Sequence, residues 1–185
     1  MKTLLMLSVA ALLACSLAGA ASAHVTLADP QASVSAYYTS AFKVTHGCAG
    51  SATTALRIEI PDAIAVAKPQ PKPGWTLEIE HALLTTPVKG EGGTLVTQRV
   101  KAVTWRGRLP DEDWDQFGLF AKLPDAPGKL YFLAIQTCET GEERWVEVPA
   151  PGETGRLAHP APSLTLTPRN APDPMAGMAG MDMHH

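Results

Sequence analysis

Apolar and polar residues alternate along much of the chain, and this alternation predicts β-strands. Leu56, Ile58 and Ile60 fall on one face of an extended segment, while Arg57 and Glu59 fall on the other. Similar patterns, rich in β-branched and aromatic residues, occur at 36–44, 75–79, 95–105, 117–123, 130–137 and 145–148. Proline and glycine separate these segments, as in strands joined by turns. Seven to nine short strands in about 145 residues predict an all-β fold, an immunoglobulin-like antiparallel sandwich.

The composition changes from Pro149 onward, where prolines become frequent. Residues 163–167 (SLTLT) predict one additional edge strand. The following segment, 168–185, contains no apolar pattern that would fold it, so we expect a flexible Met/His-rich tail. The chain therefore divides into 1–23, a β-domain at 24–167, and the tail.

The first 23 residues have the three parts of a secretory signal peptide. Lys2 supplies a positive charge, 4–17 an apolar run, and Ala21-Ser22-Ala23 a small-x-small cleavage site. Cleavage there makes His24 the first residue of a periplasmic or extracellular protein. One alternative is a lipoprotein cut before Cys15; another is a retained anchor, although the run is short for a membrane span.

Charge and hydropathy exclude some functions for the processed chain. Lys2 is the only charged residue in 1–23, so removing that segment changes the formal net charge from −3 to −4. Nucleic-acid binding needs a basic patch, and the charges here are scattered and mildly acidic. A second apolar segment of spanning length is not present in the sequence, so we expect no transmembrane segment in the mature chain.

Two cysteines, Cys48 and Cys138, remain after cleavage. An even number of cysteines in an oxidising compartment predicts a disulfide between them. The alternative is that both thiolates bind a metal ion.

His24 has special chemistry if it is the first residue. Its α-amine and its Nδ1 can bind one metal ion as a chelate, and paired nitrogen donors suit Cu(II). The alternative is that His24 merely marks the point at which the peptidase cuts.

Five short motifs occur in a fixed order along the domain. They are His24-Val25-Thr26-Leu27, Lys72-Pro73-Gly74-Trp75, Val103-Thr104-Trp105-Arg106-Gly107, Phe117-Gly118-Leu119, and Gln136-Thr137 followed by Gly141-Glu142-Glu143-Arg144-Trp145. This set resembles the YcnI-like (YncI) copper-binding domain family from His24 to about Leu166. The resemblance implies an immunoglobulin-like sandwich that binds Cu(II) through an N-terminal histidine brace, an acidic side chain and a nearby tryptophan.

The resemblance assigns His24 to the brace and Trp145 to a bulky wall over the metal, outside the set of ligands. One departure concerns the acidic ligand. Many members have Pro-Asn-Glu where this chain has Thr45-His46-Gly47-Cys48. His46 is the natural substitute ligand, or else a histidine beside the disulfide.

Three other side chains are weaker candidates. Glu139 follows Cys138 and would approach the site through the disulfide, although a solvated loop acid is its simpler interpretation. His81 and His159 show no spacing typical of metal ligands, which suggests that they are incidental.

The tail contains soft ligands. Its candidate copper ligands are Met175, Met178, Met181, Met183, His184 and His185. Thioether sulfur favours Cu(I), and the imidazoles extend the prediction to Cu(II). The alternatives are compositional drift and a cloning remnant.

Together these features predict an exported copper-binding protein that sequesters copper or delivers it to a copper-transfer partner, without being an enzyme. One alternative is a copper-dependent oxidative enzyme of the histidine-brace type, which needs a second metal-binding histidine and an open coordination position. Another is a metal-free envelope interaction domain, which the predicted fold would equally permit.

Overall fold

Antiparallel strands dominate the computed structural model, which describes residues 24–169. The predicted signal peptide and the tail ligands lie outside the described residues. The strands are β1 (Thr26–Leu27), β2 (Gln31–Ser33), β3 (Tyr37–Val44), β4 (Thr53–Glu59), β5 (Val66–Pro69), β6 (Thr76–Lys89), β7 (Leu95–Leu109), β8 (Asp115–Lys122), β9 (Gly128–Tyr131), β10 (Leu133–Cys138), β11 (Glu142–Trp145) and β12 (Ser163–Thr167). A 3-10 turn at Glu91–Gly93 is the one helical element between residues 24 and 169. Within that range no helix has the length and apolarity to cross a membrane.

Two sheets form the layers of a sandwich. A four-stranded sheet has the order β1-β3-β8-β5, and a five-stranded sheet has the order β11-β10-β4-β7-β6. Phe117 of β8 lies 4.9 Å from the ring of Trp75 and 5.5 Å from that of Trp105 in β7, measured between centroids. The apolar faces of the two sheets therefore meet in one core, as the alternation predicts.

The predicted alternation is confirmed most clearly in β4, where Leu56 and Ile58 are fully buried. It fails in part in β6, where Ile79 is 41 % exposed. The reason is that β6 is an edge strand of its sheet and lies largely outside the core. The strand predicted at 145–148 lies earlier in the chain, because β11 ends at Trp145.

Strand β12 occupies the position that the sequence predicts, but it is not an edge strand. It lies between β2, to which it is parallel, and β9, to which it is antiparallel. Leu164 and Leu166 are consequently buried. Because β2 follows β1 and β9 precedes β10, this third sheet connects the two larger ones. It also brings residues 160–163 beside the start of β1.

The close approach of Trp75 to β7 requires a glycine at position 107. A Cβ built on Gly107 would lie 2.4 Å from Cδ2 of the Trp75 ring. We expect Gly107→Ala to lower the free energy of unfolding by about 1 to 3 kcal/mol, because the indole must move within a packed core. Urea denaturation measures this change. Gly155→Ala is the matched control, since its nearest neighbouring atom would be 3.9 Å away; equal stability losses in both variants would contradict the prediction.

Candidate metal centre

His24 lies two residues before β1, at one end of the sandwich. Strand β1 pairs with β3 so that Thr26 faces Lys43. The imidazole of His24 packs against the indole of Trp145, with 5.0 Å between ring centroids and 49° between ring planes. The fold therefore brings together the two residues that the family resemblance assigns to the metal site.

Trp145 ends β11, an edge strand that pairs with β10 through Ala134. Its side chain is buried, with 3 % exposure. The indole Nε1–H of Trp145 has no hydrogen-bond partner, and in residues 24–169 no other buried side-chain nitrogen or oxygen shares this condition. An unsatisfied buried donor costs about 1 to 3 kcal/mol. The N–H group thus points to an acceptor that the described chain does not supply.

His159 also contacts Trp145, at 5.2 Å between ring centroids. Its Nδ1 lies 3.7 Å from Oε2 of Glu143. Its main chain is fixed by Glu147: the N–H of His159 donates to Oε2 of Glu147 at 2.8 Å, and the N–H of Glu147 donates to the carbonyl of His159 at 3.0 Å. The fold therefore holds the main chain of His159 beside Trp145.

A groove of about 440 Å³ opens beside His24. Residues 24–27 and Pro30 line one side, and residues 160–163 line the other. His159 directly precedes the second wall. The ring of Trp145 contacts the rings of both His24 and His159. These three residues lie together at one end of the sandwich and are here termed the aromatic cluster.

The predicted disulfide is present between Cys48 and Cys138. The preceding His46 is half-buried, and its carbonyl accepts a hydrogen bond of 2.7 Å from Nε2 of buried Gln136. The same Nε2 lies 2.7 Å from Oγ1 of Thr53. His46 is thus tied through its main chain to β10. Its role as a ligand remains a prediction.

The other candidates lie in different surroundings. Glu139 forms an ion pair with Arg108, with 2.8 Å between Oε1 and Nε, and this hydrogen bond raises the pKa of the guanidinium group. His81 is exposed on β6. Because β6 and β11 are opposite edges of a five-stranded sheet, they lie roughly 19 Å apart at the usual strand spacing.

The aromatic cluster contains the imidazole nitrogens of His24 and His159, and the carboxylate of Glu143 lies near His159. Imidazole suits copper, zinc, iron and nickel. Across residues 24–169, no three side chains of His, Cys, Asp or Glu are arranged to hold a metal ion. A metal site in which an N-terminal histidine supplies both its α-amine and its imidazole would need fewer side chains than such a group.

Comparison with known proteins gives a family and a fold. The family model described as "Domain of unknown function (DUF1775)" matches residues 24–166. An uncharacterized protein from Nocardia farcinica, whose crystal structure is described as revealing an immunoglobulin-like fold, is 27 % identical, with a TM-score of 0.57 over 77 % of this chain and 97 % of that chain. The predicted fold class is thereby confirmed.

A second solved structure is more distant. The seventh ScaB type I cohesin from Pseudobacteroides cellulosolvens is 10 % identical, with a TM-score of 0.35 over 88 % of this chain and 97 % of that chain. This likeness is too weak to support an inference. No curated protein matches the chain.

Proposed function

The chain belongs to the DUF1775 family, which is the family of the YcnI-like domains that its motifs resemble, and from this premise we propose that it is an exported copper-binding protein in which His24 holds Cu(II). The observation that carries the proposal is the contact between His24 and Trp145. Trp145 is buried, yet its indole N–H has no acceptor. The ring contact is expected where a bulky side chain borders a metal ligand; the N–H, which is a donor only, would pair with a water or an anion at the site and not with the ion itself.

The residues present fit copper by their chemistry. After cleavage, the α-amine and Nδ1 of His24 are two nitrogen donors on one residue, and such a pair suits Cu(II). Trp145 covers one side of the imidazole and limits the access of solvent to it. The acidic ligand of the family pattern is missing from Thr45–Cys48, where His46 remains a candidate donor.

Export is part of the proposal. The family match begins at His24, the residue that cleavage after Ala23 would expose. A disulfide between Cys48 and Cys138 suits the oxidising conditions of the periplasm or the cell exterior. These two observations support a signal peptide at 1–23.

We assign the protein to copper sequestration or delivery, without turnover of a substrate. In this function, the methionines and histidines of 175–185 hold Cu(I) or Cu(II) during acquisition or transfer to a protein partner. Thioether sulfur is a soft donor and the brace supplies nitrogen donors, so the two sites favour different oxidation states of copper.

The test compares two forms of the mature protein. One begins at His24, and the other keeps Ala23 as an additional first residue, which converts the α-amine of His24 into an amide. We expect the first form to bind one Cu(II) ion tightly and the second to bind at least tenfold more weakly, about 1.4 kcal/mol. Competition against a chelator of known affinity measures the difference.

A thermal measurement provides the control. The two forms should unfold at the same temperature without copper, because residue 23 lies outside the matched domain. Added Cu(II) should raise the midpoint more for the form that begins at His24, since binding to the native state stabilises it. Equal copper affinity in the two forms would refute the brace.

A further inference from the structure

The outer face of the four-stranded sheet carries two stacked aromatic rings between lysines. Tyr37 of β3 pairs across the strands with Lys122 of β8, and Phe120 of β8 pairs with Lys68 of β5. The rings of Tyr37 and Phe120 stack at 5.7 Å between centroids, with 18° between ring planes. The Nζ of Lys122 lies 4.5 Å from the centroid of Tyr37, and the Nζ of Lys68 lies 5.7 Å from that of Phe120. These four side chains form a continuous row across three strands, here termed the lysine–aromatic row.

The lysine–aromatic row is open to solvent and lies on a positively charged face. Tyr37 is 57 % exposed, Lys68 is exposed, and Phe120 and Lys122 are half-buried. The outward positions of β3, β5 and β8 include three lysines and no Asp or Glu; they are 37, 39, 41, 43, 66, 68, 116, 118, 120 and 122. This face is therefore basic, although the chain as a whole is mildly acidic.

A further cation lies at one end of the row. Lys122 and Arg169 both donate to the carbonyl oxygen of Ser35, at 2.5 and 3.0 Å. The hydroxyl of Ser35 donates to the carboxylate of Asp125. Two cations and one carboxylate thus surround Ser35, and the local balance is positive. Like charges held this close repel each other, and an anion beside them would relieve the repulsion.

The outer face of the five-stranded sheet has a different arrangement of charge. Its arginines each form an ion pair with a glutamate: Arg57 with Glu80, Arg106 with Glu78, and Arg144 with Glu142. Charges there balance one another, so that face offers little net attraction for a charged partner. The lysines at 43, 68 and 122 are far apart in the sequence and share a face only through the pairing of β3, β5 and β8.

We propose that the lysine–aromatic row is a docking surface for a membrane that contains anionic phospholipids. Tyrosine is enriched at the membrane–water interface because its ring is apolar and its hydroxyl is polar. Lysine stems cover apolar surface while their ammonium groups reach the headgroups. An acidic protein would attract the lysines equally well, but the exposed ring between them favours a lipid surface. The inference goes beyond the proposed copper site and does not depend on it.

The experiment measures sedimentation with lipid vesicles. The protein begins at His24, so the apolar segment 4–17 cannot contribute. The vesicles are phosphatidylcholine alone, or an equal mixture of phosphatidylcholine and anionic phosphatidylglycerol. We expect binding to the mixed vesicles only, and we expect added salt to weaken it, since salt screens exposed charges.

Two variants separate the contributions of charge and ring. Lys68→Gln combined with Lys122→Gln should weaken binding by about 25-fold, or about fivefold for each lysine. Tyr37→Ser should weaken binding without changing its salt dependence, because it removes interfacial ring contact and no charge. Equal binding by the double variant and the unmodified protein would overturn the proposal.

Lys101→Gln combined with Lys129→Gln is the matched control. It removes the same charge from exposed lysines of β7 and β9, which belong to the other two sheets. This change should weaken binding by about twofold at most, since screening limits the effect of distant charges. Unfolding midpoints should be the same in all variants. Equal losses of binding in the two double variants would show that overall charge, and not the row, attracts the membrane.

Other outcomes assign the row to a different ligand or exclude docking. Absence of binding to the mixed vesicles overturns the docking surface. Binding of soluble polyglutamate that requires Lys68 and Lys122, without vesicle binding, would instead assign the row to an acidic protein. Displacement from vesicles by inorganic phosphate at constant ionic strength would indicate a site for a single phosphate group. All measurements are made without copper, so their failure leaves the proposed copper site unaffected.

Discussion

Replacing Cys48 and Cys138 together with alanine is expected to lower the free energy of unfolding by roughly 4 to 5 kcal/mol. The disulfide joins residues 90 positions apart, so it removes a large amount of conformational freedom from the unfolded chain. Domains are typically stable by only about 5 to 15 kcal/mol, and the loss is therefore a large share of the total. In a calorimetric scan the midpoint should fall by roughly 8 to 20 °C.

The unmodified protein under reducing conditions is the control for this variant. Once the disulfide is reduced, its midpoint should approach that of the double alanine variant, because both have lost the same cross-link. A double variant that unfolds at the temperature of the oxidised protein would show that the cross-link contributes little to stability.

Trp105→Ala is expected to cost about 3 to 5 kcal/mol. The ring of Trp105 is fully buried and packs against Phe117, with 5.5 Å between centroids. Its indole N–H also donates to the carbonyl of Gln70 at 2.9 Å. Truncation therefore leaves a cavity between the two sheets and an unpaired carbonyl. Urea denaturation should show a lower midpoint with an unchanged slope.

Trp114 provides the matched control because it is 64 % exposed. Trp114→Ala should change the free energy of unfolding by no more than about 0.5 kcal/mol. Trp105→Phe should cost less than Trp105→Ala, since it keeps most of the packing while it removes the hydrogen bond. Similar losses in Trp105→Ala and Trp114→Ala would mean that Trp105 is not central to the core.

The strands that the sequence predicts well are the long ones with a clear period of two. Strands β3, β4 and β8 have seven or eight residues each, with alternate residues buried. Strands β1, β2 and β5 have only two to four residues, too few to show a period, and the sequence analysis missed them. Pairing partners far along the chain determine whether such short segments become strands.

The candidate site was predictable only in part. His24 and Trp145 were identified through motifs, and the structure places their rings in contact. The contact of His159 with Trp145 was not predicted, because the neighbours of His159 along the sequence give no sign of it. The motif that ends at Trp145 is visible in the sequence. No feature of the sequence around His159, however, indicates that the connection after β11 returns this residue to that strand.

The sequence by itself determined the all-β class, the disulfide partners and the family, because alternation, cysteine number and ordered motifs are properties of the chain that need no three-dimensional information. Only the tertiary structure decided that β12 is a central strand and that His24, Trp145 and His159 share one end of the sandwich. The physical reason is that burial and contact between distant segments depend on how two sheets and a connecting third sheet pack. Residues 24 and 159 both reach Trp145 only through that packing.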